Sequence, residues 1–128
     1  ELEEFEHVAK DYEVHMIRLI APTSGERTRK IVEKATGFLY CVSSLGVTGV
    51  RENITTDFTK MFEEIKKVAT IPTALGFGIS IPEQAYDLKQ YADGIIVGSA
   101  IVRMIEERGE EATEEIRDFA MRMKIALS

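Results

Sequence analysis

The tightest constraint on the fold lies in residues 72–102, PTALGFGISIPEQAYDLKQYADGIIVGSAIV. Two apolar runs there each stop at glycine, reach a serine and pass into a segment with helical spacing. Runs this short suit strands rather than helices. A strand that turns through glycine into a helix, twice in succession, predicts a βα repeat. Such repeats build a parallel sheet with right-handed crossovers. The junctions have a second property. N–H groups at a helix start point outward unpaired, and glycine lets an anion approach them closely. Two junctions one βα unit apart can face the same anion.

The rest of the chain reads as further copies of this unit. Leu2, Phe5, Val8, Ala9 and Tyr12 recur at helical spacing, which predicts an amphipathic helix over about 1–11. Residues 14–20 are β-rich, interrupted by Arg18, and end at Ala21 and Pro22. Thr23 followed by Glu26 fits a capping box, opening a basic helix over about 26–35 that turns Ile31 and Val32 inward and stops at Gly37. The run FLYCV at 38–42 is apolar throughout, as expected of a strand buried on both faces. Residues 43–56 (SSLGVTGVRENITT) have no clear period, and a loop of that length in a compact domain is usually functional. A helix is expected from about Asp57, with Phe58, Met61, Phe62, Ile65 and Val68 on one face. Residues 73–75 form the next strand. A second capping box, Ser80 to Glu83 with Pro82 in the first turn, then starts a helix that buries Ala85, Leu88 and Tyr91. Residues 94–97 are the last strand. A helix follows from about Ala100 and breaks at Gly109. The final helix, about 112–126, places Ile116, Phe119, Ala120, Met123 and Leu127 on one face.

The order is one helix followed by four βα units, in a single domain of 128 residues. With 45% hydrophobic and 30% charged residues, the chain has material for a core. A net charge of -6 argues against nucleic acid and against an anionic membrane as partners. No apolar run approaches the ~20 residues of a membrane span. The single cysteine, Cys41, forbids an internal disulfide and points to a cytoplasmic protein. It sits in an apolar strand with no neighbouring histidine and reads as a small core residue. His7 and His15 lack metal-ligand spacing, so no metal site is expected. Glu106, Glu107, Glu110, Glu111, Glu114 and Glu115 read as a solvated helix face. The N-terminus is acidic and amphipathic, unlike a signal peptide, and does not begin with Met; the chain is expected to be a piece of something longer.

Four βα units make either a small open sheet or half of an eight-unit barrel. A whole barrel takes about 200–250 residues and carries its site at the carboxyl ends of the strands, often with phosphate held after strands seven and eight. The two glycine junctions follow the last two strands, which matches that placement. A half-barrel leaves its edges and its concave apolar face open. It is therefore expected to form a homodimer or to be completed by a missing N-terminal half.

Four segments, taken together, resemble the α-chain of tryptophan synthase: LIAPTS (19–24), GFLYCVSSLGVTGVRE (37–52), PTALGFGIS with PEQA (72–85) and ADGIIVGSAIV (92–102). Their order and spacing agree with that family's strands five to eight. The resemblance covers essentially the whole chain but only the C-terminal half of the family's. It implies an α/β fold, the (βα)4 half of a TIM barrel with a leading helix. The implied activity is cleavage of indole-3-glycerol phosphate to indole and glyceraldehyde 3-phosphate, a lyase step in tryptophan biosynthesis. The family works with a pyridoxal-phosphate β-chain that receives the indole; no cofactor is implied for the α-chain. Carried over by residue, the resemblance places the substrate phosphate at Gly49, Gly78, Gly98 and Ser99. Tyr40 and Phe77 would line the substrate pocket, and Thr48 would lie on a loop that closes over it.

One departure matters. The family's catalytic glutamate and aspartate belong to the N-terminal half, and this chain holds neither. The reaction moves one proton to the indole ring and takes another from an oxygen, which is general acid–base work. The chain alone is accordingly expected to hold phosphate but to be inactive, with its β-chain contacts in doubt. The competing reading is a non-catalytic, self-associating half-barrel scaffold, natural or engineered, that binds phosphate. Another phosphate-using barrel enzyme is disfavoured by the YCVSSLGVTG segment.

Overall fold

The computed structural model describes residues 2–42, 51–76 and 78–128. Its elements are α1 (Leu2–Asp11), β1 (Arg18–Ile20), α2 (Arg27–Glu33), β2 (Leu39–Val42), α3 (Arg51–Val68), β3 (Thr73–Gly76), α4 (Pro82–Leu88), β4 (Gly94–Ile96), α5 (Ser99–Arg108) and α6 (Ala112–Leu127). The strands form one parallel sheet in the order β1-β2-β3-β4. Sequential order with parallel pairing throughout is what a run of βα units gives when each crossover has the same hand.

Register assigns the two faces of the sheet. Ile20, Cys41, Leu75 and Ile95 are aligned across the four strands, and so are Leu19, Tyr40, Ala74 and Gly94. The first row is covered by helices. Ile20, Leu39, Cys41 and Leu75 join Val32, Met61, Phe62, Ile65, Ala85, Phe119 and Met123 in one buried cluster. Strand β2 shows the alternation directly, with Leu39 and Cys41 buried and Tyr40 and Val42 half-buried. Cys41 is fully buried, and burial pushes its thiol up to about 12, as the core reading requires. The second row faces the other way and is less covered; Leu19 is 61% exposed, and Tyr40, Ala74 and Gly94 are half-buried.

The helices pack in pairs, α2 on α3 and α6 on both α4 and α5. Phe62 of α3 meets Tyr91, just past α4, with ring centroids 5.8 Å apart and planes tilted by 32°. At the amino ends of the strands, Asp93 accepts hydrogen bonds from the Thr73 amide (2.8 Å) and hydroxyl (3.0 Å). These bonds, the backbone one foremost, hold the Asp93 carboxyl below its ordinary value. They also satisfy the buried Thr73 hydroxyl. Helix α1 is present, with Glu6 ion-paired to Arg18, but Phe5, Val8 and Tyr12 of its apolar stripe remain exposed.

Several local expectations are corrected. The first strand is Arg18–Ile20, shorter than residues 14–20. The Thr23–Glu26 capping box does not start α2. Residues 22–24 form a separate 3-10 turn in which the Ser24 hydroxyl accepts from the Ala21 amide (3.2 Å), and Gly25 at φ 49° separates that turn from α2. Helix α3 begins at Arg51, so residues 51–56 are helical rather than loop. Of its expected inner face, Met61, Phe62 and Ile65 are buried; the Phe58 side chain falls outside the described residues. Before α4, the carboxamide of Gln84, not Glu83, closes the box. Its oxygen accepts from the amides of Ser80 (2.8 Å) and Ile81 (3.3 Å). In α6, Phe119 and Met123 are buried as expected, but Ala120 faces solvent, and the buried line begins at Ala112.

Candidate functional site at the carboxyl ends of the strands

A cleft of about 720 Å³ opens at the carboxyl ends of β3 and β4. Tyr40, Gly78, Ile79, Ile96, Gly98 and Ser99 form its inner wall, and Arg103, Met104 and Glu107 continue it along α5. Three separate strand ends contribute. Tyr40 projects from β2, Gly78 follows β3, and Gly98 and Ser99 follow β4. Four of the residues singled out in the sequence, Tyr40, Gly78, Gly98 and Ser99, are thus brought together. Thr48, Gly49 and Phe77 lie outside the described residues.

The two glycine junctions differ in a way the sequence does not disclose. At the first, Gly78 takes a positive φ of 77°, a backbone state that favours glycine. Of the amides that follow it, those of Ser80 and Ile81 are already committed to Gln84. At the second, the N-cap is Gly98, which has no side chain with which to cap α5. The amides of Ile101 and Val102 both donate to the Gly98 carbonyl (2.9 and 3.1 Å). Those of Ser99 and Ala100 precede any acceptor within the helix. Gly98 itself has φ −120°, outside the left-handed region, and a Cβ built on it meets no atom of the described residues within 4 Å. Packing against the described residues does not require glycine at that position. What glycine leaves there is open space in front of an uncapped helix start, where a negative group is favoured.

Tyr40 is fixed by a different close approach. A Cβ built on Gly76 would stand 2.5 Å from the Tyr40 hydroxyl oxygen, 2.9 Å from its Cζ and 3.1 Å from Ile96 Cβ. The ring therefore lies over Gly76, between the strand end and the cleft. Sequence reasoning missed Gly76. The available signal was a glycine on the strand next to a large aromatic one, where the ring needs a gap. It also missed Arg103, four residues after Ser99 and hence on the same side of α5. On the far rim, Glu115 is held by Arg108 at 2.7 Å.

Among the described residues, no group of three or more His, Cys, Asp or Glu side chains is placed to hold a metal ion. No described helix is long and apolar enough to cross a membrane.

Parallel βα units in sequential order, with a cleft at the carboxyl ends of the strands, are the arrangement of a TIM-barrel segment. Known proteins narrow this further. The family model for the tryptophan synthase alpha chain matches residues 1–127, and the chain belongs to that family. It is 46% identical over 122 residues to the tryptophan synthase alpha chain of Caldanaerobacter subterraneus subsp. tengcongensis, covering 94% of this chain and 47% of the relative. It is 49% identical over 117 residues to that of Lactiplantibacillus plantarum, covering 91% and 44%. Among solved structures, a mutant tryptophan synthase alpha-subunit from Pyrococcus furiosus superposes with a TM-score of 0.77 at 32% identity, over 94% of this chain and 49% of that one. Tryptophan synthase from M. tuberculosis in its aminoacrylate-bound form gives 0.78 at 27% identity, over 100% and 46%. The chain thus spans about half the length of the relatives it matches, and its fold is half of their barrel.

Proposed function

We propose that this chain is the C-terminal, phosphate-holding half of a tryptophan synthase α-chain, as one half-barrel domain. The carrying observation is the convergence of Gly78, Gly98 and Ser99 on one cleft, with α5 uncapped at its mouth. The substrate class is a phosphate ester, indole-3-glycerol phosphate on the family reading. Its phosphoryl group sits against the Ser99 and Ala100 amides and the Ser99 hydroxyl, and Gly98 and Gly78 leave the backbone approachable. Gly49, outside the described residues, supplies a further amide on the same reading. Tyr40 borders the organic part of the substrate, joined by Phe77, and Thr48 belongs to the covering loop.

Holding the phosphate is only part of the lyase reaction. The proton transfers at the indole ring and at the glycerol oxygen need carboxylates, and the family's pair belongs to the other half of the barrel. Completion comes from that half, against the sheet face that carries Leu19 and Tyr40, and the β-chain is the partner of the completed protein. Family membership favours this reading over a non-catalytic scaffold.

The test pairs binding with turnover. Inorganic phosphate at millimolar concentration should shift the amide resonances of Gly78, Gly98 and Ser99. Gly98→Ala should abolish those shifts while leaving the melting temperature unchanged, because the added methyl meets no atom of the described residues within 4 Å and projects into the ligand's space. The 128-residue chain should release no indole from indole-3-glycerol phosphate. An absence of phosphate-induced shifts would remove the site, and full lyase activity from this chain would remove the division of labour.

A further inference from the structure

The geometry points to Arg103 as the cationic member of this phosphate site, a residue that binds the phosphoryl group from the side of α5. The inference rests on the phosphate reading above and extends it. Backbone amides and one hydroxyl can orient a phosphate, but they carry no full charge against a dianion. Arg103 lines the same cleft as Gly78, Gly98 and Ser99. It lies one turn into α5, about 6 Å along the axis from Ser99 at 1.5 Å per residue. Cα–Cβ bonds in a helix tilt toward its amino end, so the side chain leans back over the turn that carries Ser99.

Its surroundings leave it available. Arg103 is solvent-exposed and enters no ion pair among the described residues. Arg18, Arg29, Arg108 and Arg117, by contrast, are engaged by Glu6, Glu33, Glu115 and Glu114. Glu107 stands four residues on, at the spacing of a helical ion pair, yet the two do not pair. A guanidinium presents a planar fork of donors matched to phosphate oxygens, which an ammonium does not. The arrangement is an open helix start with an uncommitted arginine above it, and its ligand class is a phosphate monoester or free phosphate dianion.

The experiment titrates inorganic phosphate and, separately, glycerol 3-phosphate into the protein and into Arg103→Gln, Arg103→Lys and Arg122→Gln. Arg122 is an exposed arginine of α6 away from the cleft, and its loss changes net charge equally. Losing a charge-assisted hydrogen bond should weaken binding by about tenfold in Arg103→Gln for both probes. Arg103→Lys should retain part of the affinity, and Arg122→Gln should match the unsubstituted protein. Equal affinity of Arg103→Gln and the unsubstituted protein overturns the role of Arg103 and leaves the backbone site standing. Equal losses in Arg103→Gln and Arg122→Gln reduce it to net charge and overturn it too. Failure of the unsubstituted protein to bind either probe overturns the phosphate reading itself, and this inference with it.

Discussion

Replacing Gly76 by alanine tests the packing that positions Tyr40. In an extended strand this change is ordinarily neutral or favourable. It removes backbone freedom from the unfolded chain, which stabilises by about 0.4–1 kcal/mol where the native conformation is unstrained. Gly76 is not among the positive-φ glycines, so its backbone accepts a side chain. The space does not. The new methyl meets the Tyr40 hydroxyl at 2.5 Å, its Cζ at 2.9 Å and Ile96 Cβ at 3.1 Å. The ring can swing away by rotating its side chain, but Ile96 Cβ is fixed to its own backbone. Overpacking of this kind costs about 1–3 kcal/mol, which outweighs the entropic gain. The net cost is then about 1–2 kcal/mol in mid-range, and at about 4 °C per kcal/mol the melting temperature should fall by roughly 4–8 °C, read by circular dichroism. Gly94→Ala is the matched control: it lies on the same face of the sheet, and its added Cβ meets no atom of the described residues within 4 Å. It should be neutral or slightly stabilising. Combining Gly76→Ala with Tyr40→Leu removes both Tyr40 contacts and should recover about 1 kcal/mol in a double-mutant cycle. Recovery should be incomplete because Ile96 remains. Equal melting temperatures for Gly76→Ala and Gly94→Ala, or strict additivity with Tyr40→Leu, would refute the claim that Tyr40 lies over Gly76.

Two further outcomes are expected. Asp93 is held below its ordinary value, first by the Thr73 amide and then by its hydroxyl. Its contribution is therefore present above the unfolded-state pKa and lost as pH falls through the lower folded-state value. Asp93→Asn should cost about 1 kcal/mol at pH 7 and flatten the acid limb of urea-unfolding midpoints between about pH 5 and 2; an unchanged acid limb would show that Thr73 does not depend on this carboxylate. The Cys41 thiol, pushed up to about 12 by burial, should resist iodoacetamide at pH 8 in the folded protein and react on unfolding in urea; labelling at the rate of a free thiol without denaturant would contradict its place in the core.

The βα order, the parallel sheet and the meeting of Tyr40, Gly78, Gly98 and Ser99 were legible because each depends on a local signal that repeats. Apolar runs of strand length, glycine at the turn and helical spacing all agree. What escaped had weak or ambiguous local signals. Residues 51–56, RENITT, carry almost no apolar face, so nothing in them announces a helix; in the structure they extend a helix anchored downstream by Met61, Phe62 and Ile65. The box before α4 slipped by one position because Glu83 and Gln84 are adjacent and both can accept a hydrogen bond. Ala120 was ambiguous because alanine suits either face of a helix, and Phe119 beside it takes the inward direction. Arg103 was hidden for a related reason. A charged side chain on a helix ordinarily reads as solvent-facing, and only the cleft beside it gives that exposure a use.

The two faces of the sheet join the site to whatever covers it. The convex face is self-sufficient, with its cluster from Ile20 to Met123 buried within the chain. The concave face is not. Leu19 is largely exposed, and Tyr40, in register with it, forms both that face and the wall of the cleft. Covering this face therefore also removes water from the cleft. Amides at a helix start and a neighbouring guanidinium act more strongly on an anion as the effective dielectric falls. On the proposed reading, completion of the barrel and phosphate affinity are thus coupled, and the coupling is reciprocal. A phosphate ester that binds the completed form more tightly must favour completion by the same free energy. Affinity in the chain alone then measures what its own amides and Arg103 provide. The increment gained on completion measures the dry surroundings, which the second half supplies together with the carboxylates.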